Sequence, residues 1–129
     1  MNKFITLSLA ALAMSACATT PVPSGDWTLA EIDGQAQAAT VMQSLTFDSA
    51  NQRVSGTGGC NRFMGGYTME GATVTFGGLA TTRKACLDRD VTNAEAKYLG
   101  ILSENSFELT TVAGQLILTS ASNRLVFNQ

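Results

Sequence analysis

Short stretches of alternating apolar and polar residues, separated by turn residues, fill most of the chain after Asp26. Alternation with a period of two places one set of side chains on one face of a β-strand, and Gly, Asn, Asp and Ser between such stretches favour turns. In the first stretch this pattern puts Trp27, Leu29 and Glu31 on one face. About seven or eight strands are predicted, within residues 27–32, 44–48, 53–57, 67–70, 73–76, 107–112, 115–119 and 124–127.

One segment has the spacing of a helix instead. Between Val91 and Asn105 the apolar residues recur every three or four positions and form one stripe. Thr92 and Glu95 have the spacing of a capping box, in which two side chains satisfy the free amides at a helix N-terminus. One amphipathic helix cannot bury its apolar face alone, so it should plug or cover a curved sheet. The residues therefore predict antiparallel β-structure with one helix.

The N-terminus has the order of a secretory signal peptide, predicted over residues 1–16. Lys3 precedes the apolar run 4–14, which is about half the ~20 residues needed to span a bilayer. Residues 14–17 (MSAC) resemble the lipobox of bacterial lipoproteins, in which the cysteine is acylated, so we expect a lipid on Cys17. The alternative is an ordinary secreted protein with a free cysteine. Residues 17–25 would form a lipidated tether, and residues 26–129 the folded domain.

The charge of the mature chain excludes one class of partner. Loss of residues 1–16 removes Lys3 and leaves seven basic and ten acidic side chains, a net charge of −3. Such a balance gives no electrostatic footprint for nucleic acid. Contact with the membrane is expected through the N-terminal lipid, and the other expected partner is an envelope protein or a small ligand.

Two cysteines, Cys60 and Cys86, remain once Cys17 is assigned to lipid. In an oxidising compartment such a pair usually closes as a disulfide. The loop of about 26 residues would then contribute about 3 to 4 kcal/mol by constraining the unfolded chain. Zinc is the competing use, but the sequence has no His and no CxxC pair to complete four ligands.

The sequence offers no catalytic constellation, so we predict a non-enzymatic protein with no metal and no cofactor. Without His, a Ser or Cys nucleophile lacks its usual base. Asp88 and Asp90 could be paired carboxylates or metal ligands, but their position favours the N-terminus of the helix through its dipole. The remaining candidate is an interaction surface made of Asn61, Arg62 and Arg83, which could offer amide and guanidinium donors to an anionic group. The alternative is that Asn61 only caps its own turn, beside glycines that permit a positive φ.

Two motifs carry a resemblance to a known family. Residues 59–67 (GCNRFMGGY) resemble the GCN-x-x-x-G-x-Y signature of the META (heat-shock HslJ-like) domain, and residues 82–86 (TRKAC) look like its T-R-x-x-C signature. The resemblance extends over about residues 26–127, with Trp27 in the first strand and Glu95 in the helix. It implies a compact, partly open β-barrel-like α+β fold, with the Asn61 loop near Cys86.

What the family implies about function is an accessory role rather than a chemistry. Its members are often envelope lipoproteins linked to stress or antibiotic tolerance, and no catalytic residues come with the resemblance. The predicted function is therefore a non-enzymatic, lipid-anchored accessory or interaction protein. Two alternatives are a small-ligand or lipid-binding module with a cleft between helix and sheet, and a peptide or protease-inhibitor-like module with a protruding loop at 35–42. By resemblance to enterobacterial lipoproteins, in which Asp after the cysteine favours retention in the inner membrane, Ala18 favours the outer membrane, facing the periplasm.

Overall fold

Residues 20–129, which the computed structural model describes, contain nine strands and one helix. The predicted signal peptide and Cys17 lie outside these residues. The elements, in chain order, are β1 (Asp26–Ile32), β2 (Gln35–Ala36), β3 (Ser44–Asp48), β4 (Arg53–Thr57), β5 (Arg62–Glu70), β6 (Thr73–Thr81), α1 (Arg89–Glu104), β7 (Ser106–Val112), β8 (Gln115–Thr119) and β9 (Arg124–Asn128).

The strands form one antiparallel sheet that closes on itself. From β3 to β9 each strand pairs with the next in sequence, β1 pairs with β3, and β1 also pairs with β9. The two-residue β2 adds only a short hairpin to the end of β1. Eight strands therefore make a ring, and the prediction of an α+β, partly open β-barrel-like fold is confirmed.

The opening in the ring lies between β6 and β7, where α1 packs. These two strands share only the residue pairs 73–75 with 106–108, although β6 continues to Thr81. Tyr98 from the helix is fully buried here, with its ring centroid 6.0 Å from that of Phe63 and 6.3 Å from that of Phe127. The apolar stripe of the helix thus completes the core, as the sequence predicted.

The start of the helix differs from the predicted capping box. Asp88 is the N-cap residue, and its carboxylate accepts hydrogen bonds from the backbone amides of Asp90 and Val91. Thr92 already lies in the first turn, so Thr92 and Glu95 do not form a capping box. The position expected for Asp88 and Asp90, at the helix N-terminus, is the observed one.

The first strand also departs from simple alternation. Its register against β9 shifts between Leu29 and Glu31, so the inward face of β1 carries Trp27, Leu29 and then Ile32. Such a bulge moves the following residues to the opposite face. The prediction that Glu31 shares the face of Trp27 and Leu29 was therefore wrong.

The connections alternate between the two ends of the barrel, because every neighbouring pair of strands is antiparallel. We call the end where β1 begins the N-terminal end; it also carries the turns 49–52, 71–72 and 113–114. We call the opposite end the disulfide end; it carries the connections 33–43, 58–61, 82–88 and 120–123. The single helix within residues 20–129 is too short and too polar to cross a membrane.

The chain ahead of β1 is in contact with the barrel. The backbone amide of Thr20 donates a hydrogen bond of 2.9 Å to the carbonyl of Gly71, and Val22 packs against the core. These contacts begin before residue 26, the predicted start of the domain. Part of the segment predicted as a tether, within residues 20–25, therefore lies against the N-terminal end of the barrel.

Candidate functional site

Two loops at the disulfide end carry the sequence motifs. Residues 58–61 connect β4 to β5, and residues 82–88 lead from β6 to α1. A disulfide joins Cys60 to Cys86, with the two Cα atoms 6.1 Å apart. The pair expected from the cysteine count is thus the pair present in the structure, and the two motifs form one local unit.

Asn61 lies at the centre of this unit and is 8% exposed. Its side-chain oxygen accepts hydrogen bonds from the Lys84 backbone amide at 2.6 Å and the Thr82 hydroxyl at 3.1 Å. Its side-chain nitrogen donates to the Glu95 carboxylate at 2.8 Å and to the Lys84 carbonyl at 3.2 Å. Both protons of the amide and both lone pairs of its oxygen are used, so the side chain has no position left for a ligand.

Glu95 holds the same loop from the side of the helix. One oxygen of its carboxylate accepts hydrogen bonds from the backbone amides of Cys60 and Asn61, and the other accepts from the Asn61 side chain. Hydrogen bonds to a carboxylate are stronger than those between neutral groups. Glu95 therefore fixes the loop to α1 instead of capping the helix as predicted.

The glycines of this stretch make room for that contact. A Cβ on Gly58 would come within 2.6 Å of the Glu95 side chain, and Gly59 has a φ of +120°, a conformation that L-residues rarely adopt. The prediction of a tight turn that needs positive φ is confirmed at Gly59. The Gly-rich motif serves the approach of a carboxylate from this chain's own helix.

Gln43 is a further member of the unit that sequence reasoning missed. It is 1% exposed, and its side-chain nitrogen donates 3.0 Å hydrogen bonds to the carbonyls of Gly58 and Ala94. It thereby ties the connection before β3 to both the loop and the helix. The available signal was its position: Gln43 stands on the same face as the buried Leu45 and Phe47, where an unpaired polar residue would be costly.

The two arginines of the predicted surface are exposed at the disulfide end, but Asn61 is not part of that surface. Arg62 and Thr82 exchange hydrogen bonds, from the Arg62 amide to the Thr82 hydroxyl and from the Thr82 amide to the Arg62 carbonyl, so Arg83 follows the residue that pairs with Arg62. The side chains of Arg62, Arg83 and Lys84 are exposed, and we call these three residues the basic surface. The hypothesis that Asn61 offers donors to a ligand is corrected, because burial and internal hydrogen bonds occupy its side chain.

The space between helix and sheet is filled by side chains. Tyr98 and Leu102 are fully buried there, so they occupy the cleft that a small-ligand module would need. The depressions on the described surface are shallow; one of about 430 Å³ is lined by Asp26, Ser44, Thr46, Ser55, Gly56, Thr57 and Arg62. Within residues 20–129, no three His, Cys, Asp or Glu side chains come together as metal ligands would.

The connection from β1 to β3 is only partly a protruding loop. Residues 35–36 pair with β1, and Val41 is buried at 9% exposure. Met42 is 71% exposed, between the buried Val41 and Gln43. The segment thus returns to the core within a few residues, which leaves little of the free loop that an inhibitor-like module would present.

Fold and site together define a small antiparallel barrel. One helix packs into its opening, and the Cys60–Cys86 disulfide crosslinks two loops at one end. The META domain family matches residues 19–129. The chain belongs to the META domain family, as the two motifs indicated. No curated protein matches the sequence.

Solved structures with similar folds have remote sequences. An NMR structure of a protein from Burkholderia xenovorans is 25% identical, with a TM-score of 0.65 over 92% of this chain and 97% of that one. A second NMR structure is 24% identical, with a TM-score of 0.63 over 80% of this chain and 86% of that one. A crystal structure of a DUF4847 family protein from Bacteroides vulgatus is 12% identical, with a TM-score of 0.58 over 81% and 92% of the two chains.

Proposed function

We propose that this protein is a non-enzymatic accessory protein of the bacterial envelope, anchored by a lipid on Cys17 and active in tolerance of stress or antibiotics. Membership of the META domain family supports a stress-related or accessory role in the envelope. The order of charge, apolar run and small residues before Cys17 supports the anchor.

The observation that carries the non-enzymatic part is the use of the motif residues inside the fold. Asn61 and Glu95 hold two loops and a helix together through hydrogen bonds. A catalytic group needs a free donor, acceptor or proton aimed at a substrate position. Residues whose hydrogen-bonding positions are consumed by their own fold serve its rigidity, so function is left to the surface that they support.

The basic surface is the best candidate for that role. Arg62 and Arg83 are exposed, on two segments that the disulfide and Glu95 hold together. Guanidinium groups bind carboxylates and phosphates with paired hydrogen bonds. An acidic segment of another envelope protein is the partner that this chemistry fits. Because the disulfide and Glu95 already order the two segments, binding of a partner would cost less conformational entropy.

Replacing Cys17 by serine tests the anchor. The variant should lose acyl labelling and move from the membrane pellet to the soluble fraction, because the thiol that carries the lipid is gone. A variant that still labels and still pellets would refute lipidation. Separation of inner and outer membranes then tests the proposed location, for which Ala18 after the cysteine favours the outer membrane.

Replacing Arg62 and Arg83 together by alanine tests the interaction role. Capture of partner proteins by the lipidated protein from native membranes should fall strongly, while the melting temperature should stay within a few degrees, since both side chains are exposed. Arg53→Ala is the matched control, an exposed arginine near the N-terminal end, and should leave capture intact. Strains carrying either variant should be compared with wild type for survival under envelope stress.

Two outcomes would count against this proposal. Capture and stress survival unchanged in the double variant would remove the basic surface from the function. Reproducible turnover by the purified wild-type protein would overturn the non-enzymatic assignment.

A further inference from the structure

The position where the described chain begins limits how the barrel can sit on a membrane. Cys17 and Thr20 are three residues apart, which allows at most about 11 Å between their Cα atoms. Thr20 is itself bound to the barrel through the carbonyl of Gly71, in the turn between β5 and β6. A lipid on Cys17 therefore brings the bilayer surface within a short distance of the N-terminal end.

The disulfide end lies on the far side of the molecule. Strand β5 runs from Arg62 at that end to Glu70 beside the Gly71 turn. Eight residue steps of about 3.3 Å, tilted as in a barrel, separate the two ends by about 20 Å along the barrel axis. The basic surface is thus at the opposite end of the hairpin from the anchor.

The connecting segments at the two ends differ in charge. The segments that make up the N-terminal end, 20–25, 49–52, 71–72 and 113–114, contain no charged residue, and Val112 beside them is 53% exposed. The loop 82–88 at the disulfide end carries Arg83, Lys84 and Asp88. The turns of the N-terminal end therefore bring no ionised side chain to the headgroup layer, where loss of hydration is costly. Exposed Asp26, Asp48, Arg53 and Glu70 lie on the strands that adjoin these segments.

We infer that the N-terminal end of the barrel faces the phospholipid bilayer and that the disulfide end, with the basic surface, faces away from it. This inference rests on the lipid anchor proposed above. The occupant of the N-terminal end is the headgroup layer of the membrane that holds the Cys17 lipid. The barrel then acts as a spacer that presents Arg62 and Arg83 about 20 Å from that layer.

Energy transfer to labelled lipids tests this orientation. Ala50→Cys, in the turn 49–52, and Ala121→Cys, in the turn 120–123, are matched changes of exposed alanines at opposite ends. With Cys17 acylated and Cys60 paired with Cys86, the new cysteine is the free thiol and takes a fluorophore. The full lipidated protein is placed in vesicles of phosphatidylethanolamine and phosphatidylglycerol that carry a headgroup acceptor dye.

Transfer from the label at residue 50 should exceed that at residue 121 by about twofold or more, given ends about 20 Å apart. Ser49→Cys and Ser122→Cys form a second matched pair in the same two turns and should repeat the result. Equal transfer at both ends would mean that the barrel lies on its side, with its basic residues on anionic headgroups, and would overturn the inference. Greater transfer at residue 121 would do the same.

The anchor and the orientation can fail separately. Wild-type protein without acyl label, or Cys17→Ser protein that binds vesicles as wild type does, would refute the proposed anchor. Acylated protein that gives equal or reversed transfer would refute the orientation alone.

Discussion

Asn61→Ala should lower the free energy of unfolding by about 3 to 5 kcal/mol, because it removes four hydrogen bonds from a buried position. One oxygen of the Glu95 carboxylate and the backbone amide and carbonyl of Lys84 would lose the Asn61 side chain as a partner, and partly buried groups without partners are costly. The disulfide stays in place, so the loss should appear within one cooperative transition. Urea denaturation of the oxidised protein measures it.

Asn93→Ala is the control for the change of residue type. Asn93 lies on α1 and is exposed, so its replacement should change stability by no more than about 0.5 kcal/mol. A double-mutant cycle with Glu95→Ala should give a coupling energy of about 1 to 3 kcal/mol, since the two side chains are in direct contact. If Asn61→Ala lowered the free energy of unfolding as little as Asn93→Ala does, the hydrogen bonds around Asn61 would not stabilise the fold.

Tyr98→Ala should be about as damaging, with a cost of about 3 to 5 kcal/mol. The Tyr98 ring is fully buried between Phe63 and Phe127, where the helix plugs the ring of strands, and its loss leaves a cavity. Tyr98→Phe keeps the ring and removes the 3.1 Å hydrogen bond from the hydroxyl to the Ser44 carbonyl, so it should cost only about 1 kcal/mol. Similar costs for both variants would contradict this packing role.

The same tyrosine makes stability depend on alkaline pH. Burial raises the pKa of Tyr98 far above the ordinary value of 10.0, and burial with nearby Asp48 also raises the pKa of Tyr67. A raised folded pKa contributes stability that is complete below pH 10 and is lost as pH rises above it. Tyrosinate absorbance should therefore appear together with alkaline unfolding, and Tyr98→Phe should unfold at higher pH than its lower stability at neutral pH suggests. Free titration of both tyrosines near pH 10 in the folded state would contradict the burial.

Local patterns predicted most of the fold because its elements are short and regular. Period-two alternation identified the eight strands of the ring, and the stripe ending at Leu102 identified the helix. β5 and β6 were predicted too short, since glycines such as Gly65 and Gly77 interrupt the apolar alternation. The bulge in β1 was not predictable, because it arises from pairing with β9 at the other end of the chain.

The candidate site was predicted less well, for a related reason. Thr92 and Glu95 match a local helix-start pattern, but Asp88 takes the N-cap and Glu95 contacts a loop more than thirty residues earlier. Asn61 stood out in a Gly-rich motif, and its burial depends on the loop 82–88, which only the tertiary fold brings near. Predicting that a charged side chain is exposed requires no knowledge of distant contacts, and the prediction that Arg62 and Arg83 lie on the surface was correct.

The pairing of β1 with β9 has a consequence for the order of events in biogenesis. The two strands whose pairing closes the ring lie almost at the two ends of the domain. The ring can therefore close only when β9 is available. A chain that crosses a membrane N-terminus first, as the signal segment predicts, would wait with one edge of β1 unpaired. Open strand edges invite pairing with other chains, and distant pairings form slowly. Emergence of β9 would then be the step that lets the barrel close, and the interval before it would be when an exported chain is most prone to aggregate.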